Sequence, residues 1–64
     1  GNLVNISKRE LQPGDLGFMR GHTGIYAGNI NGVDMWIHCN AGSNTVSYQA
    51  YNGFTRYYRL NGLE

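Results

Sequence analysis

The sequence is poor in most of the devices that hold a small protein together. It has one cysteine, so no disulfide forms within the chain. One cysteine with two histidines is a poor set of zinc ligands. Proline occurs once, at Pro13, and alanine is scarce. Charged residues make up 14% of the chain and the net charge is +1. That balance creates no strong field to draw nucleic acid or an anionic membrane surface. No apolar run approaches the length of a spanning helix, and no signal-peptide pattern is present. The expectation is no nucleic-acid partner, no membrane span, no bound metal and no cofactor.

What is there reads as β-structure. The chain has 64 residues, with 10 glycines and 5 tyrosines. That is enough for one small domain with a modest core, and such a domain is marginal without staples. It therefore reads as a single, partial domain, a piece of a larger unit. Glycines spaced through aromatic and β-branched runs argue for short strands and turns. Turn signals recur about every 8–12 residues, as in a small antiparallel barrel. The fold expectation is mainly β: a small antiparallel curved sheet or partial barrel of about five strands.

In chain order, residues 1–6 are a short strand or a frayed terminus. Ser7 to Glu10 has the outline of a capping box, and Pro13 limits any helix there to one turn. Leu11-Gln12-Pro13-Gly14-Asp15 is a turn in which Asp15 hydrogen-bonds nearby backbone. Leu16 to Arg20 follows as a strand with Leu16 and Phe18 on one face. Residues 40–44 are a turn by composition. Thr45 to Tyr51 alternates, with Val46 and Tyr48 on one side. Asn52-Gly53 turns the chain again, and Phe54 to Leu60 is the last strand, with Tyr58 and Leu60 on the Phe54 face.

The chemistry concentrates between these segments. Gly21-His22-Thr23-Gly24-Ile25-Tyr26-Ala27-Gly28 reads as a strand that begins at a histidine. Asp34-Met35-Trp36-Ile37-His38 reads as its partner and ends on the second histidine. A loop over residues 28–32 pairs Ala27 with Val33, Ile25 with Met35, Gly24 with Trp36 and His22 with His38. Directly opposed residues share a face, about 4.5–5.5 Å apart at Cβ. One imidazole then reaches the other and fixes its tautomer, and Ile25, Met35 and Ile37 share one apolar face. A competing register, turning at Asn31-Gly32, puts the histidines on opposite faces.

Other residues have plainer readings. Cys39 is a small buried hydrophobe that points away from both histidines towards the core. Asp15 is a turn residue. Trp36, Tyr26 and Tyr48 are aromatic core. Arg56 and Arg59 alternate to opposite faces and form no patch. His22, His38 and Asp34 would offer a metal only two convergent ligands.

The ordered pair Leu11-Gln12-Pro13-Gly14-Asp15-Leu16 and His22-Thr23-Gly24-Ile25-Tyr26-Ala27-Gly28 resembles the second half of an NlpC-type cell-wall cysteine peptidase. Trp36-Ile37-His38 is similar to that family's next strand. The likeness covers residues 11–60. It implies the β-half of an α+β papain-like fold, with His22 as general base and His38 as the residue that orients it. It implies a cysteine nucleophile at the start of an upstream helix. This chain has no cysteine there, so its partner would be a missing N-terminal half-domain that brings the thiol. The family cuts peptide bonds in bacterial peptidoglycan stems. The resemblance thus implies cell-wall peptide as substrate and a secreted or wall-associated location, bacterial or phage. On this reading the chain alone is inactive. The alternative is a non-catalytic, SH3-like module that binds cell-wall peptide or a protein partner.

Overall fold

The structure is a computed structural model, and it describes residues 2–40 and 42–61. Six strands form one antiparallel sheet: β1 (Asn2–Ile6), β2 (Leu16–Met19), β3 (His22–Ile30), β4 (Val33–Asn40), β5 (Thr45–Ala50) and β6 (Arg56–Asn61). Their spatial order is β1-β6-β2-β3-β4-β5, so β2 to β5 are a meander and β6 returns to pair with β2. The sheet is curved and unclosed, with β1 and β5 at its edges. The expected mainly β, curved antiparallel sheet is therefore present, with six strands where about five were expected.

Local chemistry explains most of the boundaries. Glu10 accepts the Ser7 backbone N–H at 2.7 Å, and a single 3-10 turn spans Lys8–Glu10. Pro13 and Gly14 then reverse the chain, with Gly14 at φ +98°, where a side chain would be strained. Asp15 accepts the Gln12 N–H at 2.8 Å, as a turn aspartate does. It also takes Arg59 from the far end of the chain, Oδ1 to Nε at 2.9 Å and Oδ2 to Nη2 at 2.7 Å. This two-pronged pair ties the turn to β6 across 44 residues of sequence. The Arg59 guanidinium, with the Gln12 N–H, holds the Asp15 carboxyl below its usual range.

The β3–β4 hairpin corrects the expected register. The turn is the two residues Asn31 and Gly32, at φ 52° and 85°, not a loop over residues 28–32. This is the turn of the competing register, with Ile30 opposite Val33. A bulge at Ala27-Gly28 then inserts one residue into β3, and Gly28 takes φ 108°. Beyond it Tyr26 faces Trp36, Ile25 faces Ile37 and Gly24 faces His38. The bulge reverses the parity that the turn alone would have set. Both histidines return to one face.

That face is the buried one. Its core is Tyr26, Trp36 and Phe54, with Leu11, Met19, Tyr51 and Tyr57 packed around them. The segment from Tyr51 to Thr55 crosses this face from β5 to β6. Were the sheet flat, Ala50 and Arg56 would stand about 25 Å apart, from four strand spacings and the offset of their rows. Six peptide links reach only about 20–22 Å. The sheet must curl for the crossing to close, and the crossing segment presses into the concavity it helps to create.

Several side chains lie where the sequence reading did not put them. Ile25 and Ile37, expected on the apolar inner face, are on the outer one at 45% and 39% exposure. Tyr48 is exposed rather than core, and Cys39 is exposed rather than buried. Phe54 precedes β6 instead of opening it, so it packs inward while Tyr58 packs outward, edge-on to Phe18 at 5.4 Å. Ala41 of the 40–44 turn and Gly1 of the first segment lie outside the described residues.

Replacing Arg59 by Met leaves a carboxylate that is 5% exposed with only the Gln12 amide. The expected loss of folding stability is about 1–3 kcal/mol at neutral pH, read from urea denaturation. Because the Asp15 carboxyl titrates low, this loss should shrink as pH falls below about 4, where the unfolded carboxyl is already protonated. An unchanged midpoint at neutral pH would show the pair to be energetically idle.

Candidate functional site

His22 opens β3 and His38 lies near the end of β4, both on the concave face. Gly24 sits directly opposite His38, so His22, two residues earlier, is its diagonal neighbour. The diagonal is normally about 7–8 Å between backbones, within reach of two leaning imidazoles. Here His22 Nε2 and His38 Nδ1 stand 2.7 Å apart, a hydrogen bond. The expected meeting of the two rings is observed, in a different register from the one expected.

Glycine makes the meeting sterically feasible. A Cβ on Gly24 would stand 2.6 Å from the Phe54 ring and 3.2 Å from His38 Cβ. Position 24 is thus vacant space that Phe54 and the imidazoles share. The glycine of the His22-Thr23-Gly24 stretch has this packing reason, independent of any likeness.

The two rings differ in environment. His38 is 6% exposed and His22 is half-buried. Burial disfavours the charged form of His38, and a charge on His22 opposes it further, so its pKa falls below the usual histidine value. His38 therefore stays neutral, and its tautomer sets the direction of the bond. With the His38 proton on Nε2, His22 Nε2–H donates to His38 Nδ1, and His22 Nδ1 is left for chemistry. His38 Nε2 is buried and has no hydrogen-bond partner among the described residues.

Beside the pair lies an open depression of about 320 Å³, lined by Gly21, His22, His38, Asn40, Gln49 and Tyr51. Asn40 and Gln49 reach each other across its floor, Nδ2 to Oε1 at 3.4 Å. A larger depression of about 420 Å³ lies near Lys8, Asp34 and Asn52. There Asp34 is committed to Tyr26 Oη at 2.7 Å and Asn29 Nδ2 at 2.9 Å. These two bonds, that of Asn29 first, hold the Asp34 carboxyl low, and burial with the Asp34 contact pushes the Tyr26 phenol up to about 12. Asp34 does not join the histidines, and no group of three metal-binding side chains assembles among the described residues.

Cys39 borders the depression beside the histidines, but its side chain does not face the pair. Cys39 alternates with His38, pairs with Val46 in the sheet and belongs to the outer face. Arg59 serves Asp15, and Arg56 is exposed on the opposite face. The sequence reading missed Tyr51 and Phe54, which pack on both rings. Their ring centroids lie 5.7 and 5.5 Å from His22, and 4.7 and 6.2 Å from His38. The one available signal was two aromatic residues flanking a turn, which does not say where the turn will fold. No helix among the described residues is long and apolar enough to cross a membrane.

No family model matches the chain, and neither curated proteins nor solved structures give a match.

The lowered His38 pKa makes a stability prediction. The unfolded chain takes up a proton near pH 6.5, whereas folded His38 resists until lower pH. The stability it contributes is full above about pH 6.5 and is lost as pH falls through that value. The urea midpoint should therefore drop more between about pH 7.5 and 5 for the wild type than for His38→Gln. Equal drops would mean that His38 is protonated alike in both states.

Proposed function

We propose that this chain is the histidine-bearing part of a cysteine endopeptidase that hydrolyses peptide bonds in bacterial peptidoglycan stems. In this proposal the protein is secreted or wall-associated, from a bacterium or phage. The nucleophilic thiol comes from another segment, the N-terminal half-domain of the NlpC-type arrangement that residues 11–60 resemble. The observation that carries the reading is the 2.7 Å contact between His22 Nε2 and His38 Nδ1. Two histidines picked out by a sequence likeness share one hydrogen bond, which supports giving them the roles of base and orienting residue.

The chemistry follows from the two environments. His22 Nδ1 accepts the thiol proton, giving a thiolate beside an imidazolium. His38, kept neutral, accepts the Nε2–H of that imidazolium and holds its plane. The thiolate attacks the scissile carbonyl carbon. His22 returns its proton to the leaving amine as the C–N bond breaks. A water, deprotonated by His22, then hydrolyses the thioester and releases the thiol. The depression by Asn40, Gln49 and Tyr51 offers amide hydrogen-bonding groups to a peptide beside the bond.

The binding-module reading has one feature in its favour. An apolar row, Leu16, Ile25, Ile37 and Tyr48, runs across the outer face, and its last three members are exposed. Saturable binding of purified peptidoglycan by this chain, unchanged in His22→Ala, would select it.

The chain alone should release no peptide from peptidoglycan. Joined to a segment carrying the thiol, it should give hydrolysis that alkylation abolishes and His22→Ala reduces by about 10²–10⁴ in kcat/KM. The rate should be bell-shaped in pH, because thiol and imidazole must carry one proton between them. A flat profile from about pH 5 to 8 would remove His22 as the base.

A further inference from the structure

Phe54 occupies an unusual seat. It is 4% exposed, yet it belongs to the irregular segment between β5 and β6. Two glycines make room for it: a Cβ on Gly17 would lie 2.8 Å from its Cγ, and one on Gly24 would lie 2.6 Å from its Cζ. Trp36 backs it at 4.6 Å between ring centroids. Its backbone is held as well. Tyr57 Oη donates to the Phe54 carbonyl at 2.8 Å, and the next residue, Thr55, donates its N–H to Phe18 at 2.8 Å. Phe54 is fixed on every side but one, and on that side lies His22.

The two rings are nearly parallel, at 9° with centroids 5.5 Å apart, an offset stack. Tyr51 meets the same imidazole at 68° and 5.7 Å, and its hydroxyl is itself held, donating to Met19 Sδ at 3.0 Å. These contacts bear on a specific weakness. A single hydrogen bond to His38 holds the ring against turning about its last torsion, and whenever that bond opens the turn is unopposed by it. A half-turn would put Cε1 where Nε2 now meets His38 and Cδ2 where Nδ1 now stands, breaking the bond and carrying Nδ1 to the opposite edge of the ring. To make that turn the ring must pass through an orientation perpendicular to its present one. In that orientation one edge runs into Phe54, which Tyr51 backs at 4.9 Å.

We infer that Phe54 is a positioning residue: seated in the space left by Gly17 and Gly24, it confines the His22 ring so that Nε2 faces His38 and Nδ1 stays available. This rests on the reading of His22 as a base for its catalytic meaning, though not for the geometry. Tyr51 packs against Phe54 at 4.9 Å and flanks the imidazole beside it. Gly24 serves both rings at once, by lacking the Cβ that would displace Phe54.

The test uses nitrogen-15 and proton NMR of the imidazoles in this chain, with Phe54→Leu and Phe54→Tyr. In the wild type, His22 should show one ring orientation, its Nε2 bonded to His38, and ring-to-ring NOEs to Phe54. Phe54→Leu should give averaged His22 ring signals and lose the bonded Nε2 signature while the His38 backbone amide stays in place. Phe54→Tyr should restore the wild-type pattern. A leucine variant with an unchanged His22 pattern overturns the inference. Should the leucine variant fail to fold, the wild type decides: absent NOEs, or two exchanging orientations of His22, overturn it.

A second readout keeps this inference apart from the peptidase reading. In the thiol-complemented domain, Phe54→Leu should lower kcat roughly 10- to 100-fold with little change in KM. If that domain hydrolyses nothing while the NMR result holds, the peptidase reading has failed and the positioning stands. If it hydrolyses peptidoglycan and Phe54→Leu is as fast as the wild type, the positioning has failed and the peptidase reading stands.

Discussion

One extra residue at Ala27-Gly28 decides what this sheet can present. Side chains on a strand alternate with a period of two, so any odd shift in register exchanges the faces. The tight turn at Asn31-Gly32 sets one parity, and the bulge sets the other. Without the bulge, His22 and His38 would lie on opposite sides of the ribbon. Gly28, at φ 108°, is the residue that permits the insertion. The imidazole pair and the aromatic box around it all depend on that one irregularity.

The second constraint is the short crossing from β5 to β6. Too few residues are available to pass over a flat sheet, so curvature and crossing require each other. The crossing brings Tyr51 and Phe54 into the concavity, and the core becomes aromatic as a result. The ion pair between Asp15 and Arg59 acts at the opposite end of the same arrangement, fastening the first turn to the last strand. The outer face has no such cover. Its row of Ile25, Ile37 and Tyr48 stays in contact with solvent. In a domain this small, one sheet face can be buried by the chain itself and the other cannot.

The imidazole pair shows how burial sorts two like residues into different roles. His38, deeper and already hydrogen-bonded on Nδ1, is held neutral. That neutrality lets its Nδ1 accept the His22 Nε2–H. His22, less buried, keeps one nitrogen free. The functional proposal uses only this asymmetry and a thiol brought from elsewhere, since Cys39 is on the wrong face.

Much of this was legible in the order of residues. The turn at Pro13-Gly14, the capping glutamate, the strand runs and the facing of the two histidines all follow from neighbours a few positions apart. Local backbone preference and period-two alternation act over such distances. Even so, the shared face of the histidines was expected from a long loop, whereas a tight turn and a bulge produce it. Which face would be buried was misread for Ile25, Ile37 and Tyr48, because their apolar character is compatible with either side. The seat of Phe54 between two glycines, the clamp on Asp15 and the cover over the imidazoles were decided by tertiary structure alone. Each joins residues that lie far apart along the chain, and only the curl of the whole sheet brings them within reach.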